Sequence, residues 1–136
     1  MTKRFTPEEA NALLPELRSN LLQLKGIMSE YEERYMELQK MKASADMIST
    51  RGGSGGSRFF EEEGRLDFMS MEIDLLVENF KRQGVYLKMI NPGLIDFPAL
   101  LEGREVLLCW KEGEERVSHY HSWEDGFRGR KPLPEG

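Results

Sequence analysis

The chain has 136 residues, is 32% charged and carries a formal net charge of −5, which suits one soluble domain long enough to bury a core without staples. The acidic excess is local: residues 1–57 balance 8 basic with 8 acidic side chains, whereas residues 58–136 set 11 basic against 16 acidic. That distribution excludes the basic stripe of a nucleic-acid surface and disfavours an anionic membrane, and the single cysteine, Cys109, rules out an internal disulfide.

Phe5-Thr6-Pro7-Glu8-Glu9 opens the first helix. Thr6 is the cap, Pro7 suits the first helical position, and Glu9 completes a capping box. Pro15 cannot donate to the carbonyl of Asn11, so a kink or short break is expected near Leu13–Leu14. A long helix then runs to about Ile48. Leu14, Leu17, Leu21, Leu24, Met28, Tyr31, Tyr35 and Leu38 alternate steps of three and four along it, as a heptad seam. Leu66, Met69, Ile73, Leu76 and Phe80 repeat the spacing in a second helix, roughly residues 58–83. Between them, the Gly-rich segment 51–57 reads as a hairpin loop; it lacks the lysine pattern of a phosphate-binding loop. Residues 5–83 therefore read as a coiled-coil-like antiparallel hairpin whose seam also suits a homodimer.

Gly84 stops the second helix, and residues 84–136 read as a small antiparallel sheet of three or four strands with an irregular tail. Val85–Ile90 is the first strand, and Asn91-Pro92-Gly93 a turn. Leu94–Phe97 is a short extended piece ended by Pro98. Glu105–Trp110 is the most apolar strand, and Val117–Ser122 returns beside it. A turn centred on Gly113-Glu114 sets Trp110 opposite Val117, Leu108 opposite His119 and Val106 opposite His121. The fold class is α+β, in one domain over residues 1–136.

The chemistry-bearing side chains crowd into this last third. His119 and His121, two apart on a strand, share a side and suit a metal if a third ligand such as Asp96, Glu124 or Asp125 joins them. Asp96 lies between Ile95 and Phe97, either as a turn cap or as an acid, base or ligand group. Arg128 and Arg130 flank Gly129, an arrangement that clamps a small anionic ligand or satisfies the acidic surface. Cys109, between Leu108 and Trp110, reads as a buried small hydrophobe. No motif names a cofactor or substrate. No apolar run approaches ~18 residues, so the location reads as cytoplasmic.

Phe5-Thr6-Pro7-Glu8-Glu9-Ala10-Asn11, Gly93-Leu94-Ile95-Asp96-Phe97-Pro98-Ala99, Gly103-Arg104-Glu105-Val106, Leu108-Cys109-Trp110, Gly113-Glu114, His121 and Gly126-Phe127-x-Gly129-Arg130-x-Pro132 together resemble a bacterial family known as domain of unknown function 2203. The resemblance covers nearly the whole chain. Asp96, Trp110, His121, Asp125 and Arg130 fall on its pattern. His119 does not, and Tyr120 stands where the family commonly has Trp. The resemblance implies boundaries and a site location, and no activity. Two readings follow from the residues: a self-associating interaction or small-ligand-binding module, or a small metal-dependent or acid–base hydrolase-like enzyme using Asp96, His121 and Arg130.

Overall fold

The first helix begins where its cap residues stand. In the computed structural model, which describes residues 3–48 and 55–134, the Thr6 N–H donates to Glu9 Oε1 at 2.9 Å and the Glu9 N–H to Thr6 Oγ1 at 3.1 Å, the reciprocal bonds of a capping box. Helix α1 then spans Pro7–Ile48, and Pro15 does not break it. Of the expected kink or short break, the break is absent because Leu14 and Leu17, on either side, are buried. Their burial, about 1.5–3 kcal/mol each, offsets the ~3 kcal/mol that an internal proline costs. Helix α2 spans Gly55–Arg82 and so takes in the end of the Gly-rich segment; residues 51–54 of that segment lie outside the described residues.

The chain divides into two compact units, Gln23–Leu76 and Met1–Leu22 with Val77–Gly136. The first is a helical hairpin. Leu24, Leu38, Leu66 and Met69 are buried in it, and Lys42–Glu63 at 2.8 Å and Arg34–Glu62 at 3.9 Å pair the two helices. Tyr35 departs from the expected seam: it is exposed and stacks on Tyr31, ring centroids 6.3 Å apart.

The second unit is built on a five-stranded antiparallel sheet in sequential order. Its strands are β1 (Tyr86–Met89), β2 (Leu94–Leu101), β3 (Arg104–Lys111), β4 (His119–His121) and β5 (Lys131–Pro132). The tail expected to be irregular supplies β5, fastened by the Leu133 N–H to the Ser118 carbonyl at 2.8 Å. Strand β2 runs on through Pro98 instead of ending before it. The reason is positional. Strand β1 pairs only as far as Asp96, so Pro98 sits on a free edge where its missing N–H is not required. Its carbonyl accepts the Phe5 N–H at 2.7 Å.

The β2–β3 register sets Ile95 opposite Trp110, Phe97 opposite Leu108 and Ala99 opposite Val106. Those six residues form one face and are buried, as are Leu14, Leu17 and Leu21 of α1. Phe5 meets Phe97 edge to face at 5.4 Å, and the Arg18 guanidinium lies 5.5 Å from the Trp110 ring centroid. Gly93 is needed here for space, since a Cβ would come within 2.4 Å of Leu21 Cδ2.

Asn11 ties α1 to the strand entering β4. Its Oδ1 accepts the Val117 N–H at 2.7 Å, and its Nδ2 donates to the Val117 carbonyl at 3.2 Å. Asn11→Ala leaves both backbone groups without these partners and is expected to cost roughly 2–4 kcal/mol. Asn11→Asp keeps the acceptor and should lose less. Denaturant titration checks both, and equal losses would show that the carboxamide is not acting as a clamp.

Candidate functional site

The opposite face of the sheet carries the polar residues. Asp96 on β2, Cys109 on β3 and His119 on β4 occupy one rung, and Leu107 pairs with His121 one step along. This register is one residue away from the expected pairing of Leu108 with His119 and Val106 with His121. A shift of one flips every side chain to the other face, so both histidines join Cys109 and Leu107 rather than Trp110. The connecting loop, Glu112–Ser118, is folded on itself rather than closed as a tight turn. Its bonds include the Glu114 N–H to the Lys111 carbonyl at 3.0 Å and the Trp110 indole N–H to the Glu114 carbonyl at 2.9 Å.

Asp96 and His121 stand two strands apart and meet above β3. His121 Nε2 lies 3.1 Å from Asp96 Oδ2. His121 Nδ1 lies 2.7 Å from the Ser122 carbonyl. A carbonyl only accepts, so Nδ1 carries a proton, and Asp96 and Nε2 share another between them. Asp96 is therefore a partner of His121, not the cap of the turn before Pro98. Cys109 lies beneath the pair: one donor atom each from Asp96, Cys109 and His121 fall within 4.8 Å of one another. All three are buried, at 3%, 1% and 3% relative exposure. Burial first, and the Asp96 charge second, push the Cys109 thiol up to about 12. A thiol held there is not an activated nucleophile.

Beside this trio lies a second polar assembly. Arg130 Nη2 donates to both carboxylate oxygens of Glu114, at 2.9 and 2.8 Å, and the Lys111 N–H donates to Glu114 Oε1 at 2.8 Å. His119 Nδ1 stands 3.8 Å from Glu114 Oε2 and 3.0 Å from Ser118 Oγ. Burial works against ionisation of Glu114. The hydrogen bonds from Arg130 and Lys111, with the charges of Arg130 and His119, nevertheless hold its carboxyl below the ordinary range. Phe127 covers Arg130, the guanidinium carbon 4.9 Å from the ring centroid.

The candidates read from the sequence thus separate. Asp96 and His121 converge. Arg130 belongs to the neighbouring pair with Glu114, and His119 sits beside that pair rather than bonding to Asp96. Trp110 is buried on the helical face. Asp125, Glu124 and Arg128 are exposed. Asp125 packs closely against Gly129, where a Cβ would approach within 2.4 Å of the Asp125 Cβ. Cys109 is the member that sequence reasoning passed over, because its partners come from β2 and β4. Once Asp96 is placed opposite Cys109, the trio follows from the register alone. A groove of about 820 Å³ is lined by α1 residues with the 115–119 segment and the tail at Pro132–Pro134, and not by Asp96 or His121.

A family model described as an uncharacterised conserved protein, DUF2203, matches residues 3–133. No curated protein and no solved structure matches the chain. Among the described residues no helix is long and apolar enough to cross a membrane.

Glu114→Gln is expected to cost about 1–2 kcal/mol at neutral pH by weakening a charge-assisted bond. A depressed folded-state pKa gives stability that is present above the unfolded carboxylate's pKa and lost as pH falls through the folded one. The gap between wild type and variant should therefore close on acidification. Denaturation at neutral and acidic pH tests this, and a gap of constant size would contradict the assignment.

Proposed function

The chain belongs to that uncharacterised family, DUF2203, and we propose that it is a self-associating interaction module, joined to a second copy of itself through α2. One observation carries this reading. Phe60, Phe68, Met71 and Leu75 are 79%, 61%, 62% and 60% exposed. At 3.6 residues per turn they fall within an arc of about 80° on α2. Buried Leu66 and Met69 project from roughly the opposite side of the same helix. A helix apolar on two opposite faces, with one bare, is the pattern of a surface awaiting a partner.

The spacing favours a second copy as that partner. Reversed about the point between Asp67 and Phe68, the stripe sets Phe60 against Leu75, and Met71 against Gly64, which has nothing within 4 Å of where its Cβ would be. On one flank Arg65 then comes within two residues of Glu72 of the copy. A surface that complements itself on reversal is what a two-fold dimer requires. The other flank brings Asp67 near its own copy and Glu63 within two residues of Asp74, a repulsion that the apolar contacts must outweigh. The rival enzyme reading has weaker support. Its anion holder, Arg130, is engaged by Glu114, and Asp96 and His121 are buried rather than open to a substrate.

Analytical ultracentrifugation at micromolar concentration should find the wild type dimeric and Met71→Glu monomeric. The substitution is on an exposed position, so monomer stability should change by no more than about 0.5 kcal/mol. A monomeric wild type overturns the proposal.

A further inference from the structure

The buried trio has the donor set of a metal site. We propose that Asp96 Oδ2, Cys109 Sγ and His121 Nε2 form a binding site for one zinc-type divalent cation. Thiolate, imidazole and carboxylate are together the donors that zinc takes, and three of them leave one tetrahedral position for water or a small ligand. The oxygen–nitrogen distance is close to that required, and the sulfur lies within 4.8 Å of both. Bonds of about 2.0–2.1 Å put tetrahedral oxygen and nitrogen neighbours about 3.3 Å apart, against 3.1 Å between Asp96 Oδ2 and His121 Nε2. A sulfur–nitrogen edge is about 3.6 Å on the same geometry, and the trio lies within 4.8 Å, so a bound cation needs Cys109 Sγ to move by no more than about 1.2 Å.

The surroundings supply what a ligating histidine needs. Nδ1–H is held by the Ser122 carbonyl at 2.7 Å, which fixes the tautomer and turns Nε2 toward Asp96 and Cys109. An outer hydrogen bond to a backbone carbonyl is the usual support of a metal-bound imidazole. Charge also balances. A thiolate, a carboxylate and a neutral imidazole around a dication sum to zero, so the enclosed site carries no uncompensated charge. The cation displaces two protons to solvent, one from the Cys109 thiol and one from between Asp96 and His121. Both neighbouring charges, Arg130 and Glu114, are already paired with each other. The inference does not depend on dimerisation.

Cobalt(II) is the probe. The full chain, without an affinity tag, is stripped with chelator and loaded with Co²⁺, both in the native state and by refolding, then displaced with Zn²⁺. The expected result is one ion per chain. A thiolate-to-cobalt charge-transfer band and intense tetrahedral visible bands should accompany it. Cys109→Ser, nearly isosteric, should abolish the charge-transfer band, and His121→Gln should weaken affinity at least tenfold. His119→Ala should leave both unchanged, because His119 is not in the trio. A folded wild type that shows only the spectrum of hydrated Co²⁺ after both loadings overturns the proposal, and so does a charge-transfer band that survives in Cys109→Ser. Should His121→Gln fail to fold, the wild-type spectrum and the cysteine variant still decide.

Discussion

The β2–β3–β4 register is the constraint from which the rest of the sheet unit follows. It decides, for every residue of β2, β3 and β4, which face of the sheet the side chain joins. With Asp96 opposite Cys109 and Cys109 opposite His119, the alternation of a pleated strand sends Ile95, Phe97, Leu108 and Trp110 to the apolar face. It gathers Asp96, Cys109 and His121 on the other. A slip of one residue between β3 and β4 would press two imidazoles into the packed face and leave Asp96 without its partner, a buried carboxylate costing several kcal/mol. The register is thus enforced from both faces. The Asn11 amide enforces it again by gripping Val117 two residues before β4 begins.

The two polar assemblies differ in what they contribute. Glu114 and Arg130 are partly open to solvent, at 26% and 14% side-chain exposure. Their pairing closes the loop before β4 and holds the tail against the sheet, a role in which each hydrogen bond contributes about a kcal/mol. The trio beside them is buried. A buried polar group there gives little net stability over an apolar replacement, so stability alone does not account for placing three of them in contact. Hydrophobic residues of similar volume would fill the same face.

Local rules were legible wherever the chain acts on itself. The capping box of Thr6 and Glu9 and the arrest of α2 before Gly84, whose φ is +86°, each depend on a few adjacent residues. Misreadings arose where distant segments intervene. Pro98 ends a strand by its local chemistry, yet the short reach of β1 and the arrival of Phe5 make its place on the edge harmless. Lys131 and Pro132 have no strand pattern of their own and become β5 only because β4 offers an open edge. The turn around Gly113 looked like a hairpin turn because Glu114 reads as an ordinary polar residue. Its carboxylate instead gathers Lys111 and Arg130, and the loop takes the extra residue that moves the register. Of the site, Asp96 and His121 stood out as polar residues in apolar strands, whereas Cys109 did not, since a cysteine between Leu108 and Trp110 is what a core also contains.

Helix α2 shows the same limit from the opposite direction. The steps of three and four that marked Leu66 and Met69 as a packed seam were correct for them. The same arithmetic applied to Phe60, Phe68, Met71 and Leu75 yields a second stripe, which a search for one seam does not seek. Periodicity identifies an apolar face without saying whether the chain itself covers it. On this helix the described residues cover one face and leave the other bare, and Gly64, in the middle of that bare face, adds no side chain to it. Bare aromatic and thioether side chains lose the favourable transfer of about 25 cal/mol per Å² that burial would bring. Across a stripe of four large residues, that forgone energy is what the proposed self-association through α2 would recover.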